Sequence, residues 1–304
     1  MPELPEVETF RHYFEGTSLK QKVTEITVAE KSEKLFKVPI DLLIETVTGN
    51  QFTGTSRIGK YLFVHLQKQG YMVVHFGMTG DFSYFKQDET PPKRAKVFFK
   101  FDNGFCLSYN SRRKFGWLDL AENIGDYQKN KKLGPDALDI EAGHLLERLQ
   151  KSTAPIKARL LDQSVLAGVG NWVADEVLYQ SKIHPGTTCN QLEKVDYERL
   201  QESIIHVLEV SVEKEADWDA FPDYFMVKQR EKNGRCPETG DKLEIIEVGG
   251  RTTYFARRCS NCRRMVAEGR KPDQKLVLSA KLYSTQTDRF LMLHYETMKT
   301  TADR

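Results

Sequence analysis

The chain has 304 residues, of which 39% are hydrophobic and 29% are charged. This length accommodates two domains and a small appendage, and this composition is typical of an ordinary globular protein. The sequence contains no run of about 18 apolar residues, which a membrane span needs, and its acidic opening MPELPEVE is unlike a secretory signal. We therefore expect a cytoplasmic protein with no membrane partner. As separate expectations, we take it to be a monomer and of bacterial type.

Positive charge is concentrated near the end of the chain. The net charge is only +2, but residues 226–270 contain eleven Lys and Arg against six Asp and Glu. A basic module on a near-neutral body is typical of a phosphate-binding element. An ordinary solvated surface explains the same charges equally well.

The first 125 residues predict a β-sandwich with a flanking helix. Residues 3–16 indicate the helix, because Val7, Phe10 and Phe14 recur at helical spacing. Residues 20–120 indicate β structure, with turn signals between short segments rich in β-branched and aromatic residues. The clearest of these segments are Tyr61–Leu66, Met72–Phe76, Lys96–Phe101 and Phe105–Tyr109. A sandwich is the simplest way to bury such strands.

The remaining residues predict a linker, a helical domain, a hairpin module and a tail. Residues 126–139 are polar and contain Gly134-Pro135, which is typical of a linker. In residues 140–225 apolar side chains recur at three- and four-residue steps, which predicts several short helices. Residues 226–270 return to strand-like patterning with a hairpin turning at Gly249-Gly250, and residues 271–304 form a tail to which we assign no role.

The second residue carries the most informative chemistry. Pro2 is small enough for Met1 to be removed by ordinary processing, which exposes a secondary amine with a pKa of ~7.7–8.0. Such an amine can attack an aldehyde carbon and form an iminium. Glu3 and Glu6 share one helix face, so they can flank this amine as acid and base groups. Alternatively, Pro2 merely opens a helix that the glutamates cap.

Several segments resemble the formamidopyrimidine-DNA glycosylase and endonuclease VIII family, in the expected order along the chain. They are PELPEVE at the start, RIGKYL (57–62), HFGMTG (75–80), SRRKFG (111–116), LGPDAL (133–138), LLDQSVLAGVGNWVADEVLYQSKIHP (160–185) and the hairpin at 249–264. The resemblance implies an α+β fold with an N-terminal β-sandwich, a helical helix–two-turn–helix domain and a zinc-finger-like β-hairpin. It also implies a bifunctional DNA glycosylase and AP lyase, associated with the nucleoid through DNA.

The resemblance implies catalytic roles for four residues. Pro2 attacks the sugar C1′ of a flipped-out nucleotide, while Glu3 protonates the ring oxygen or the leaving group. Glu6 and Lys60 support proton transfer and phosphate positioning, and β- and δ-eliminations then cut the strand. Judged without the resemblance, a lone lysine before an aromatic strand is usually an exposed edge residue.

The resemblance also implies five contacts to damaged double-stranded DNA. Met78, Arg113 and Phe115 fill the space that the flipped base leaves, although ordinary packing at strand ends explains the same residues. Asn171 and backbone N–H groups of the GVGN turn bind a phosphate at a helix N-terminus. Arg251, just past the hairpin turn, grips the DNA, although an exposed hairpin tip also suits a solvated charge.

The metal site departs from the pattern of the family, which is two CxxC pairs around a hairpin. The second pair is intact as Cys259 and Cys262, but the first is Cys236-Pro-Glu-Thr239, with threonine at the second ligand position. Three thiolates can hold zinc with a fourth partner, for which Glu238, Asp241 and water are the candidates. Alternatively, the hairpin folds without metal.

Two branches of the family prefer different lesions, and the sequence has features that bear on both. PELPE, GMTG and the retained Phe115 favour oxidised purines, namely 8-oxoguanine and formamidopyrimidines. The stretch from Glu215 to Lys232 is shorter than the loop with which that branch caps 8-oxoguanine, which keeps oxidised pyrimidines as the alternative. A non-catalytic lesion-binding protein is a further alternative, and it predicts the loss of Pro2, Glu3 or Lys60.

Overall fold

Two four-stranded antiparallel sheets form the N-terminal part of the protein. The computed structural model describes residues 1–257. The strands of these sheets are β1 (Val23–Val28), β2 (Phe52–Ile58), β3 (Tyr61–Leu66), β4 (Tyr71–His75), β5 (Gly80–Lys86), β6 (Ala95–Phe101), β7 (Phe105–Ser111) and β8 (Trp117–Ala121). One sheet has the order β1-β6-β7-β5 and the other the order β2-β3-β4-β8. Both contribute to one hydrophobic core, so the predicted β-sandwich is confirmed.

Strand β6 illustrates why the sequence forms this sandwich. Val97, Phe99 and Phe101 are buried, whereas the alternating Lys96 and Lys100 are partly exposed. A period of two is the pattern expected of a strand with one face on a core. The four predicted strand segments correspond to β3, β4, β6 and β7, with ends shifted by at most two residues.

Helix α1 (Leu4–Ser18) flanks the sandwich and also enters a second core. Val7 and Phe14 are buried in the core between the sheets. Leu4, at the start of the helix, is buried in the core of the helical domain instead. Burying each such side chain contributes roughly 1.5–3 kcal/mol. The two ends of α1 are therefore anchored separately, which fixes the N-terminus of the chain at the junction between the two cores.

A second helix, α2 (Ile40–Val47), lies in the region predicted as continuous β structure, so that prediction was wrong at this point. Its buried residues, Leu43 and Val47, are four positions apart, which is the spacing of a helical face. Pro39 precedes it, and the fixed φ of proline suits the start of a helix.

Four of the five α-helices described after the sandwich are short, as the punctuation by glycine and proline predicts, whereas the last has 20 residues. The helices are α3 (Ile124–Asn130), α4 (His144–Leu149), α5 (Ile156–Leu160), α6 (Asn171–Gln180) and α7 (Lys194–Glu213). Helix α3 overlaps the start of the predicted linker (126–139), and the Asn123 side chain caps it by accepting the Asp126 N–H at 3.1 Å. Within residues 1–257, none of the helices is both long and apolar enough to span a membrane.

The hairpin predicted near the end of the chain is present. Strands β9 (Glu244–Val248) and β10 (Arg251–Phe255) pair antiparallel around a two-residue turn. Gly249 and Gly250 in this turn have φ values of 60° and 71°. Two consecutive left-handed residues define the type I′ turn that suits the twist of a hairpin, and glycine adopts them without strain.

A buried ion cluster attaches this hairpin to the helical domain. The Lys157 ammonium lies 2.6 Å from the Asp175 carboxylate and donates to Thr253 Oγ1 at 2.7 Å. The other Asp175 oxygen accepts from Arg230 at 2.8 Å and from the Tyr254 N–H at 3.2 Å. A buried pair of this kind is tolerated when its remaining hydrogen-bonding capacity is filled. The cluster therefore holds β10 firmly against α6.

Candidate active site

Glu3 binds the N-terminus of helix α6. Its carboxylate accepts hydrogen bonds from the Trp172 N–H at 3.0 Å and from the Val173 N–H at 3.1 Å, and only 2% of the residue is exposed. The Leu4 N–H also donates to the Gly168 carbonyl at 3.1 Å. The unpaired N–H groups and the dipole of a helix N-terminus stabilise a carboxylate there. These bonds fix Glu3, and with it the adjacent half-buried Pro2, against the helical domain.

The glycines of the GVGN turn make this close approach sterically feasible. A Cβ atom on Gly170 would lie 2.1 Å from Glu3 Cδ. A Cβ atom on Gly168, which has a φ of +111°, would lie 2.5 Å from the Leu4 side chain. The sequence predicts that N–H groups of this turn bind a DNA phosphate. The N–H groups of Trp172 and Val173, which follow the turn, bind Glu3, and the phosphate contact of the turn itself stays a prediction.

The resemblance implies that Glu3 takes part in base excision, so we expect Gly170→Ala, which displaces the Glu3 carboxylate, to lower base excision by roughly 100-fold, because a misplaced catalytic group costs about that much. The measurement is the single-turnover rate on a duplex with one damaged base. Gly16→Ala is the matched control, since a Cβ atom there meets nothing within 4 Å. Equal rates for the two variants would contradict the assigned position of Glu3.

Glu6 connects the start of α1 to the same region. Its Oε2 accepts from the Glu3 N–H at 2.9 Å, and its Oε1 accepts from the Trp172 indole N–H at 3.0 Å. Burial, together with the adjacent charge of Glu3, raises the pKa of Glu6 to about 7. Burial raises the pKa of Glu3 as well, against the opposing effects of Lys60 and the two N–H donors. A carboxyl group that titrates near neutral pH is suited to donate and accept protons.

Lys60 lies in the two-residue turn between β2 and β3, and it is not an exposed edge residue. Its Nζ donates to the Val169 carbonyl at 2.9 Å. Burial lowers the pKa of Lys60, while the negative charges of Glu3 and Glu6 raise it. A Cβ atom on the neighbouring Gly59 would lie 2.8 Å from the backbone N of Gly168. The Lys60 turn therefore packs directly on the loop that binds Glu3.

An ion-pair network that sequence reasoning missed positions this turn. Arg57 donates to Glu8 of α1 at 2.7 Å and to both oxygens of Asp136 at 2.5 and 3.1 Å. The Asp136 carboxylate also accepts from the Gly59 N–H at 2.6 Å. Arg57 and Asp136 are within the RIGKYL and LGPDAL segments, which were identified only by resemblance. Three segments distant in sequence meet here, so no local spacing could have indicated the network.

The three predicted void-filling residues lie on two loops that pack side by side. Met78 lies between β4 and β5 and is half-buried, whereas Arg113 is exposed and Phe115 is 60% exposed between β7 and β8. The Arg113 N–H donates to Thr79 at 3.2 Å, and a Cβ atom on Gly77 would lie 2.3 Å from the Gly116 nitrogen. The structure thus brings these three residues together at one end of the sandwich.

The two predicted phosphate contacts approach each other through the hairpin. The Asn171 side-chain amide donates to the Thr252 carbonyl of β10 at 2.9 Å. Arg251, the preceding residue, is exposed at the hairpin turn. Its charge contributes to the lowered pKa of Lys60, so the hairpin turn is within electrostatic reach of the site.

The described part of the predicted metal site is one cysteine in a tight loop. Cys236 is 2% exposed, its N–H donates to the Asp241 carbonyl at 2.7 Å, and its carbonyl accepts from the Gly240 N–H at 2.8 Å. Its Sγ lies 3.7 Å from the Tyr179 hydroxyl. Cys259 and Cys262 lie outside the described residues. Among residues 1–257, no three His, Cys, Asp or Glu side chains are grouped to hold a metal ion.

Comparison with known proteins places these features in a family context. Residues 1–118 match the family model of the formamidopyrimidine-DNA glycosylase N-terminal domain, and residues 133–221 match that of the H2TH domain. The chain is 35% identical over 272 residues to the formamidopyrimidine-DNA glycosylase of Arabidopsis thaliana, covering 84% of this chain and 70% of that protein. It is 33% identical over 278 residues to that of Streptococcus pyogenes serotype M28, covering 86% and 100%.

Solved structures agree with the sequence matches. The Lactococcus lactis formamidopyrimidine-DNA glycosylase, bound non-covalently to DNA containing an AP site, has a TM-score of 0.77 at 31% identity and covers 85% of this chain and 99% of its own. MutM in complex with DNA containing carbocyclic 8-oxo-G has a TM-score of 0.78 at 31% identity, covering 86% and 100%. The similarity therefore extends over most of the chain.

Proposed function

The chain belongs to the formamidopyrimidine-DNA glycosylase family, and from this membership we propose that it excises damaged bases from double-stranded DNA and cleaves the strand at the abasic site. The observation that best supports this proposal is that Glu3 and Glu6 are held beside residue 2, within electrostatic reach of Lys60. This arrangement surrounds the chain terminus with proton donors and acceptors, which a nucleophilic amine requires.

Pro2 is the nucleophile in this proposal, once Met1 has been removed. Its nitrogen attacks the sugar C1′, and the bond from C1′ to the base breaks with its electron pair leaving on the base. Glu3 supplies a proton to the sugar ring oxygen or to the departing base. The bond from C1′ to the ring oxygen O4′ then breaks with its electron pair leaving on O4′, which takes up a proton, and the nitrogen lone pair completes the iminium. The iminium makes a C2′ proton acidic, and loss of that proton breaks the bond from C3′ to the 3′ phosphate. A second elimination expels the 5′ phosphate.

Lys60 and Glu6 support these steps without forming bonds to the sugar. The Lys60 ammonium is oriented by the Val169 carbonyl, and its charge suits a phosphate next to the lesion. Glu6, with a pKa of about 7, can accept the proton that the Pro2 amine loses and return it later. Arg57 acts as a positioning residue through Asp136 and Gly59.

The damaged nucleotide must be flipped out of the DNA duplex before residue 2 can reach its sugar, at a cost of a few kcal/mol. Met78, Arg113 and Phe115 are proposed to occupy the space that it leaves. Phe115, an exposed aromatic ring on a loop tip, can stack on the neighbouring bases, and Arg113 can face the orphaned base. Their position on adjacent loops allows them to act together.

Arg251 and Asn171 are proposed to bind the DNA backbone. We expect Arg251→Ala to weaken binding to duplex DNA and to reduce the salt dependence of log Kd by about one unit, because one phosphate contact is lost. Titrations at several salt concentrations measure both. Arg257→Ala is the control, since Arg257 belongs to the same module but pairs with Glu244 at 2.9 Å. Unchanged binding by the Arg251 variant would reject the contact.

Oxidised purines, namely 8-oxoguanine and formamidopyrimidines, are the proposed substrates. MutM and the Lactococcus lactis enzyme have been solved with 8-oxo-G and FAPY-dG DNA respectively, which supports this choice. The test is the single-turnover excision rate on matched duplexes carrying 8-oxoguanine, a formamidopyrimidine or an oxidised pyrimidine. Faster excision of the oxidised pyrimidine would replace the purine assignment with that alternative.

We propose that the protein acts as a cytoplasmic monomer.

Five segments are proposed for the domain organisation, with the boundaries that the sequence indicates. They are a catalytic sandwich (1–125), a linker (126–139), a helical DNA-binding domain (140–225), a hairpin module (226–270) and a tail (271–304).

Zinc is proposed to be held by Cys236, Cys259 and Cys262. The buried thiol of Cys236 in its tight loop fits this role, and three thiolates form a ligand set that zinc favours. Asp241, Glu238 or water supplies the fourth ligand, although Glu238 also pairs with Lys182.

We expect about one zinc per purified chain, and we expect Cys236→Ser to lower both the zinc content and the melting temperature. Elemental analysis and thermal unfolding measure the two effects. Cys106→Ser, in a buried strand position of the sandwich, is the control for loss of a buried thiol. A zinc content far below one per chain would contradict the proposal.

A further inference from the structure

We propose that Trp218 stacks on the extruded base and thereby determines which damaged bases are excised. The inference rests on the proposed glycosylase function and adds a specificity-determining residue to it. Trp218 begins a short 3-10 helix (Trp218–Ala220) that follows α7, and it is 38% exposed. Tryptophan is usually well buried, so an exposed ring next to an active site is a candidate for ligand contact.

The Trp218 ring is supported from one side by other aromatic rings. Its centroid lies 5.9 Å from that of Trp172, with the two planes at 60°. Trp172 is buried, and its ring also contacts Phe221 at 5.9 Å. Edge-to-face contacts at such distances hold a ring in a defined orientation. Trp218 therefore presents a preformed apolar surface and loses little conformational freedom when a planar ligand binds.

Trp172 connects this surface directly to the acid and base groups. Its backbone N–H binds Glu3, and its indole N–H binds Glu6. Trp218 is thus one ring contact away from the residue that orients both carboxylates. The base that is excised is bonded to the same carbon that residue 2 attacks. A base held for attack beside Glu3 is therefore brought toward Trp172, on whose ring Trp218 packs.

The charges around Trp218 favour a base over a phosphate as its ligand. Asp217 and Asp219 flank it, and the Asp217 side chain accepts from the Asp219 N–H at 3.0 Å, which holds the short helix in shape. Two carboxylates repel the phosphate backbone. Every base has an apolar face, and stacking on an aromatic side chain is a general mode of binding unstacked bases.

The test compares a substrate that has a base with one that does not. Trp218→Ala is expected to slow excision of a damaged base by roughly 5- to 150-fold, the usual effect of removing one stacking ring. Cleavage of a preformed abasic site should change less than about twofold, since that substrate has no base to stack. Trp218→Phe should restore most of the excision rate. In the alanine variant, the differences between the excision rates on 8-oxoguanine, formamidopyrimidine and oxidised pyrimidine duplexes should become smaller.

Tyr224→Ala is the matched control, because Tyr224 is 49% exposed in the same segment but stacks on His206. Equal slowing of excision and of abasic-site cleavage by Trp218→Ala would overturn the inference, and so would an unchanged excision rate. Failure of the proposed function is distinguishable, because the unmodified protein would then act on neither substrate.

Discussion

Replacing Pro2 by glycine is expected to lower strand cleavage at an abasic site by roughly 1000-fold or more, because it replaces the secondary-amine nucleophile with a primary amine. A secondary amine forms an iminium that is positively charged at any pH. The primary amine of glycine forms an imine that must first be protonated before it withdraws electrons. Glycine also lacks the ring that fixes φ at the chain terminus.

The measurement is single-turnover cleavage of an abasic duplex, with mass spectrometry to verify that Met1 is absent from both proteins. Affinity for the same duplex serves as the control, because the phosphate contacts assigned to Lys60, Asn171 and Arg251 remain. Full cleavage by the Pro2→Gly protein without a covalent intermediate would contradict the assignment of the nucleophile.

Replacing Glu3 by glutamine is expected to lower base excision by about 100- to 10,000-fold, which is the usual contribution of a positioned acid or base. Cleavage of a preformed abasic site should fall much less, because no base needs protonation there. Glutamine has nearly the same shape and retains one acceptor for the Trp172 N–H. Its amide cannot also accept from the Val173 N–H, so a modest loss of stability is expected as well.

Parallel single-turnover assays on a base lesion and on an abasic site measure this separation. Glu15→Gln is the control for loss of a carboxylate from the same helix, since Glu15 pairs with Arg11 away from the site. A Glu3→Gln protein that lost both activities to the same extent would show that Glu3 does more than protonate the base or sugar.

The sandwich was predictable from the sequence because its strands carry their own pattern. Alternation in β6 and the Gly249-Gly250 turn are local signals, and both were interpreted correctly. Helix α2 was missed because its eight residues contain two β-branched isoleucines, a valine and a threonine, which favour strands. Tertiary packing of one helical face overrides such a weak local preference.

The proposed active-site residues could be singled out in the sequence for a different reason. Pro2, Glu3, Glu6 and Lys60 have recognisable chemistry or lie in recognisable motifs. The residues that hold these four in place could not be recognised in this way. The contact of Trp172 with Glu6 and the contact of Gly170 with Glu3 join segments far apart in the chain. Such contacts depend on the docking of α1 against α6, which no local pattern of residues encodes.

Borohydride reduction of the reaction with an abasic duplex tests the central claim most directly. Reduction converts an iminium between protein and sugar into a stable bond, and digestion followed by mass spectrometry locates it. We expect one adduct, on the peptide that begins with Pro2. An adduct on Lys60 or another lysine would contradict the assigned nucleophile. No adduct from folded protein with Met1 removed would favour a non-catalytic DNA-binding protein instead.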